Sequence, residues 1–143
     1  MTKPKEGTTR DGKQMHFSAG AIIEWDGKYL LIDRAIPPFG FAGVAGHVDE
    51  GENEHEAIVR EVKEEGGFTV TDSKLLFEEE LDWNWCSEGI TSHYWYLFEC
   101  RVSGDLRRSR RETKSAGWYS KEEIKKLKLE PVWEYWFKKL GII

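Results

Sequence analysis

The sequence has little of what would tie a chain together covalently or lodge it in a membrane. Its 143 residues include two cysteines, Cys86 and Cys100. They form neither a C-x-x-C pair nor a zinc-finger spacing, so both read as thiols in a reducing compartment. No apolar run approaches the roughly 20 residues that a bilayer span needs, and residues 1–15 lack a hydrophobic signal core, so the expectation is a cytoplasmic protein without a membrane partner. Positive charge is not in excess either. Lys and Arg number 21 against 26 Asp and Glu, a net charge of −5, which argues against general attraction to polymeric nucleic acid or anionic lipid. A small anionic ligand would have to be drawn by local positive charge or by a metal ion. There is no internal repeat and no low-complexity segment.

Large apolar side chains are plentiful. Aromatic residues make up 13% of the chain, with seven Trp, and hydrophobic residues 39%, enough to build a core at a length that fits one domain. Residues 1–15 are polar, carry Pro4, Gly7 and Gly12, and read as a flexible lead-in to a single domain over residues 16–143. Apolar residues 18–25 and 28–35 flank Asp26-Gly27, the signature of a β-hairpin. Phe41 to Gly46 is a short run of small residues, and Asn53 is placed to cap a helix running to Glu65. Extended segments are expected at 68–70, 75–85, 93–102 (central in the sheet) and 116–119, with a polar loop over 103–114. Ser120 and Glu123 form a capping box opening a helix to about Leu127. Trp133, Trp136, Phe137 and Leu140 follow Pro131 at i, i+3, i+4 and i+7 spacing, the pattern of an amphipathic C-terminal helix. Strands with helices interspersed give an α/β sandwich.

The feature that points to chemistry is GHVDEGENEHEAIVREVKEEGGF, residues 46–68. Glu61, Glu64 and Glu65 fall at i, i+3 and i+4, on one edge of a helix face and at its C-terminal end, where the macrodipole disfavours acids. A hard divalent cation would resolve that crowding, since Mg²⁺ takes oxygen ligands and bridges to substrate phosphates. The whole stretch, Gly46, Glu52, then Arg60-Glu61-Val62-Lys63-Glu64-Glu65-Gly66-Gly67-Phe68, resembles the Nudix box, G-x5-E-x7-R-E-U-x-E-E-x-G-U with U apolar. It agrees at every fixed position.

The resemblance implies a MutT-like Nudix hydrolase with the Nudix fold, a mixed β-sheet sandwiched between helices. The implied reaction is metal-assisted attack of water on a diphosphate linkage of a nucleotide. Carried over by position, Glu61, Glu64 and Glu65 would be Mg²⁺ (or Mn²⁺) ligands and include the catalytic acids, with the Gly46 carbonyl as a further ligand. Glu52 and Arg60 would form a supporting ion pair. Glu112, six residues before Trp118, resembles the position of an additional acid outside the box. Arg107 and Arg108 are candidates for substrate phosphates, and Trp83 and Trp85 for stacking a base; a solvated loop and a packed sheet surface are the plainer readings of these four. His47 and His55 receive no role. Many relatives carry Pro-Gly-Gly where this chain has Val44-Ala45-Gly46, and no Pro occurs between Phe68 and Pro131. The missing proline tilts the expected substrate toward a nucleoside triphosphate, modified or not, ahead of other nucleoside diphosphate derivatives. A homodimer is compatible with the reading. The rival is a Nudix-fold nucleotide-binding or regulatory module of weak activity.

Overall fold

The structure, a computed structural model, describes residues 3–143. In chain order its elements are β1 (Glu6–Thr8), β2 (Gln14–Ile22), β3 (Glu24–Trp25), β4 (Lys28–Arg34), β5 (Phe41–Ala42), β6 (Val44–His47), α1 (Glu54–Gly66), β7 (Thr69–Leu81), β8 (His93–Ser103), β9 (Thr113–Ser120), α2 (Lys121–Ile124) and α3 (Pro131–Lys139). Among the described residues, no helix is long and apolar enough to cross a membrane.

The strands form two sheets. In the first, β8 lies between β2, its parallel partner, and β7, its antiparallel partner. The other edge of β2 is shared by β1, opposite residues 14–16, and β6, opposite residues 18–21. In the second, β4 pairs antiparallel with β9 on one edge and with β3 and β5 on the other.

Alternation of side chains across the first sheet separates two cores. Ala19 and Ala21 of β2 and Phe98 and Cys100 of β8 join Ala57, Ile58 and Val62 of α1. Ile22 of β2 and Trp95 and Leu97 of β8 join Trp133, Trp136 and Phe137 of α3. The sheet is thus sandwiched between helices, the α/β arrangement expected from the sequence. Gly20 makes the α3 side possible, because a β-carbon there would sit 2.7 Å from Trp95 and 3.0 Å from Trp133.

Several boundaries differ from the expectations. Within the polar lead-in, Glu6–Thr8 pairs with β2, and Lys5 N donates to Val48 O at 2.8 Å. The open edge of β2 supplies backbone partners whatever the side chains; Met1 and Thr2 lie outside the described residues. The run 18–25 is not one strand, since it leaves the first sheet after Ile22 and only Glu24–Trp25 forms the hairpin with β4. Segments 68–70 and 75–85 merge into one strand, β7, that ends at Leu81. Register shifts after Val70 and Leu75 interrupt its period of two and leave Leu75 exposed. Helix α2 stops at Ile124 and tightens to i→i+3 bonds through Leu127.

Truncating the fully buried Trp133 (Trp133→Ala) should destabilise the protein by about 3–5 kcal/mol in urea unfolding. Trp25→Ala, at a side chain that is 68% exposed, should stay within about 0.5 kcal/mol of wild type. Equal effects would contradict the assignment of the core.

Candidate active site

Helix α1 is placed by its ends. The Asn53 side chain accepts from Glu56 N at 2.8 Å, and the Glu56 carboxylate accepts from Asn53 N at 3.0 Å. At the other end Gly67 takes the left-handed conformation, φ 79°, and its N–H bonds Lys63 O. With Ala57, Ile58 and Val62 buried, the rotation of the helix carries Glu61 and Glu65 inward at the edge of the apolar face. They are only 8% and 4% exposed, whereas Glu64 is half exposed.

The two buried acids lie against the backbone of β6. Glu65 Oε1 accepts from Ala45 N at 3.0 Å. The Glu61 carboxylate occupies the space beside Gly46, where an added β-carbon would meet Glu61 Cδ and Oε1 at 2.2 Å. Burial is the main cause that pushes Glu61 up to about 7, reinforced by Glu64 and Glu112 and opposed by Arg60. Burial also holds Glu65 well above the usual carboxylate range, with Glu61 adding to it and the Ala45 N–H opposing.

Arg60 binds the pieces together. Its Nε and Nη2 form a fork on Glu52 (2.7 and 2.9 Å), Nη2 also donates to His47 O (2.9 Å), and Nη1 reaches Glu61 (2.6 Å) and Glu64 (3.2 Å). Asp49 lies 3.3 Å from Nη2. The ion pair expected of Glu52 and Arg60 is therefore present. The Arg60 hydrogen bond holds Glu52 below the usual carboxylate range, and Glu52 foremost raises Arg60.

These residues form one wall of a cleft of about 480 Å³ that is also lined by Gly46, Arg34, Arg111, Glu112, Asn84 and Trp85. Glu112 thus shares the cleft with the box acids. Its carbonyl accepts from Ala35 N at 2.9 Å, which fixes the loop before β9 beside the end of β4. Of the residues expected to meet substrate, only Trp85 lines the cleft. Arg107 packs on Gly67 and its N–H donates to Gly66 O at 2.7 Å, while Arg108 Nη1 donates to Thr113 O at 2.8 Å. Both tie down the 104–112 loop instead. Trp83 sits edge-on to Tyr135, 5.5 Å between ring centroids, because β7 has ended before it.

The cleft contains one cation that sequence reasoning missed. Arg34, at the end of β4, reads as an ordinary strand residue, yet its Nε donates to Ile36 O (3.2 Å) and Pro38 O (2.7 Å). Nearby Glu130, 3.8 Å from Arg34 Nε, is pushed up to about 7 by burial. Arg111, three residues beyond Arg108 in the 103–114 loop, also lines the cleft. His47 and His93 also line the cleft and are held neutral by burial, His47 down to about 3.

A raised carboxylate binds its proton more tightly in the folded chain than in the unfolded one. Stability from Glu61 is therefore full below its ordinary value of 4.5 and lost as pH rises through about 7. His47 and His93 titrate in the opposite sense, so the observable is a difference between variants. In chelator, the urea midpoint of wild type should fall relative to that of Glu61→Gln between pH 4.5 and 7. A constant difference across that window would contradict the burial of this charge.

Residues 14–140 match the NUDIX domain. The uncharacterized Nudix hydrolase orf19 of Rhodococcus erythropolis is 27% identical over 136 residues, covering 87% of this chain and 73% of the relative. ADP-ribose pyrophosphatase of Methanocaldococcus jannaschii is 49% identical over 57 residues, 38% of this chain and 34% of that protein. A Caenorhabditis elegans relative is matched over only 22% of its length, so against these last two the chain spans about a third or less of the whole protein. Among solved structures, a MutT NUDIX hydrolase from Burkholderia pseudomallei superposes with a TM-score of 0.69 at 25% identity, covering 78% of this chain and 87% of the other. On the family match over residues 14–140, with a box complete at every fixed position, this chain belongs to the NUDIX family.

Proposed function

We propose that the cleft hydrolyses a diphosphate linkage in a small nucleotide, a nucleoside triphosphate or another nucleoside diphosphate derivative, by attack of water at phosphorus. The observation that carries this reading is the pair of desolvated carboxylates, Glu61 and Glu65, held against the β6 backbone in one cleft with Glu64 and Glu112. Like charges gathered away from water are unfavourable without a counter-charge.

Donors that are all carboxylate or carbonyl oxygens fit a hard cation such as Mg²⁺ or Mn²⁺. Glu61, Glu64, Glu65 and the Gly46 carbonyl would hold it. When bound, such a cation neutralises phosphate charge and lowers the pKa of coordinated water.

The chain's own residues supply the rest. Arg60 holds Glu61 and Glu64 in place while its fork on Glu52 fixes the loop that precedes the helix. Arg34 and Arg111 are positioned to meet phosphate oxygens across the cleft, where a guanidinium gives directional, charge-assisted hydrogen bonds. Trp85, nearly half exposed at the rim, offers a ring on which a base can stack. Glu112 faces the box acids and is the residue proposed to take the proton from the attacking water. The name of the Methanocaldococcus relative makes ADP-ribose one test compound. The absence of proline between Phe68 and Pro131 favours triphosphates.

Glu64→Gln should lower kcat by about 100-fold or more, as loss of metal-centred transition-state stabilisation does, while the urea midpoint holds because the side chain is half exposed. Glu112→Gln should remove one limb of the pH–rate profile. The assay is a panel of nucleoside triphosphates, ADP-ribose and dinucleoside polyphosphates with Mg²⁺ or Mn²⁺ in ¹⁸O-water, which also locates the attacked phosphorus. Near-wild-type turnover by Glu64→Gln would refute the assignment, and silence across the panel would favour a binding module.

A further inference from the structure

Three histidines and a cysteine converge on the side of β6 that faces away from the carboxylates. His16 on β2, His47 on β6, His93 on β8 and Cys86 on the loop after β7 each offer one ligand atom, and these atoms all lie within 4.8 Å of one another. Strand register brings the histidines together. His16 pairs with His93 across the parallel β2–β8 ladder, and His47 pairs with Ser18, two residues along β2. All three therefore leave the sheet on the face of Gly20 and Trp95, opposite the face on which Gly46 meets Glu61.

The details are those of a ligand shell. The Nε2 atoms of His47 and His93 stand 3.3 Å apart, on rings tilted only 6° from parallel. His93 Nδ1 lies 2.7 Å from Asn84 O. A carbonyl only accepts, so Nδ1 carries the proton and Nε2 presents its lone pair inward. His47 Nδ1 has the Glu88 carboxylate 4.0 Å away on its outer side. A backbone carbonyl bonded as Asn84 O is to His93 orients a metal-ligating imidazole. His16 is buried, 3% exposed, and its Nδ1 has no hydrogen-bond partner among the described residues. Ligand nitrogens about 2.0–2.1 Å from a tetrahedral zinc are separated by roughly 3.3 Å, which is the edge that follows from that geometry, and the His47–His93 spacing agrees with it.

We propose that His16, His47, His93 and Cys86 form a binding site for a zinc-type transition metal, distinct from the carboxylate site. A shell of three imidazoles and a thiolate selects borderline metals such as Zn²⁺ or Co²⁺ over Mg²⁺. Cys86 binds as the thiolate, releasing its proton to solvent. Since Cys86 is the only ligand from the 82–92 loop, the metal would pin that loop, with Trp85 and Glu88, to the sheet and set the cleft rim.

The test is titration of the chelator-treated full chain with Co²⁺, followed by competition with Zn²⁺. One equivalent should bind with tetrahedral d–d absorption and a near-ultraviolet thiolate-to-cobalt band. Cys86→Ser, a near-isosteric change in a loop, should abolish the thiolate band, and it and His47→Gln should each weaken Zn²⁺ binding by roughly tenfold or more, at least the loss seen when ligand-supporting partners are removed. Cys100→Ser and Glu64→Gln should keep the band. Absence of the band in wild type, or Zn²⁺ affinity unchanged in both Cys86→Ser and His47→Gln, would overturn the proposal and leave a plain His47–His93 hydrogen bond.

Discussion

The Glu61 carboxylate fills the space that any side chain on Gly46 would occupy. This contact brings the helix that carries the acids and the strand that carries the backbone donors to within van der Waals distance. Burial there removes water that would otherwise stabilise the charge, so Glu61 and Glu65 are raised as acids and Arg60 is drawn into the gap. The guanidinium then meets both demands on it. Its fork on Glu52 fixes the preceding loop, and its remaining nitrogen partly offsets the negative charge of Glu61 and Glu64. One arginine compensates only part of that charge, which is why a cation-binding reading of the cleft is physically coherent.

The strand β6 is the hinge between two chemistries. Alternate residues of a strand point to opposite faces, so Val44 and Gly46 face α1 while Ala45 and His47 face the α3 side. The Ala45 methyl packs against the aromatic core built on α3, while the residue's N–H serves Glu65. The oxygen-rich acids and the imidazole cluster thus approach the same cleft from opposite faces of the sheet, without sharing a ligand.

Much of this was legible in the residues. Periodicity located the C-terminal helix, Asn53 marked the start of α1, and the spacing of Glu61, Glu64 and Glu65 announced the acidic edge. What escaped were features set by long-range register. Nothing local says that Arg34 ends its strand beside Glu130, or that the loop docks the Arg107 backbone on the end of α1 and the Arg108 guanidinium on Thr113 while Arg111 and Glu112 enter the cleft. Trp83 and Trp85 share one sequence pattern, but β7 stops at Leu81 and only Trp85 reaches the rim. His16, His47 and His93 are about 30 and 46 residues apart along the chain and meet only through the pairing of β2 with β6 and β8.

The site depends on the close approach of Glu61 to Gly46, and one substitution isolates it. In Gly46→Ala the new methyl meets the end of a flexible side chain rather than backbone, so the fold should persist while the Glu61 carboxylate is displaced. Mn²⁺ binding, followed by electron paramagnetic resonance alongside a urea melt, should show affinity reduced by roughly tenfold or more with a midpoint close to wild type. Wild-type Mn²⁺ affinity in Gly46→Ala would contradict the claim that this contact builds the site.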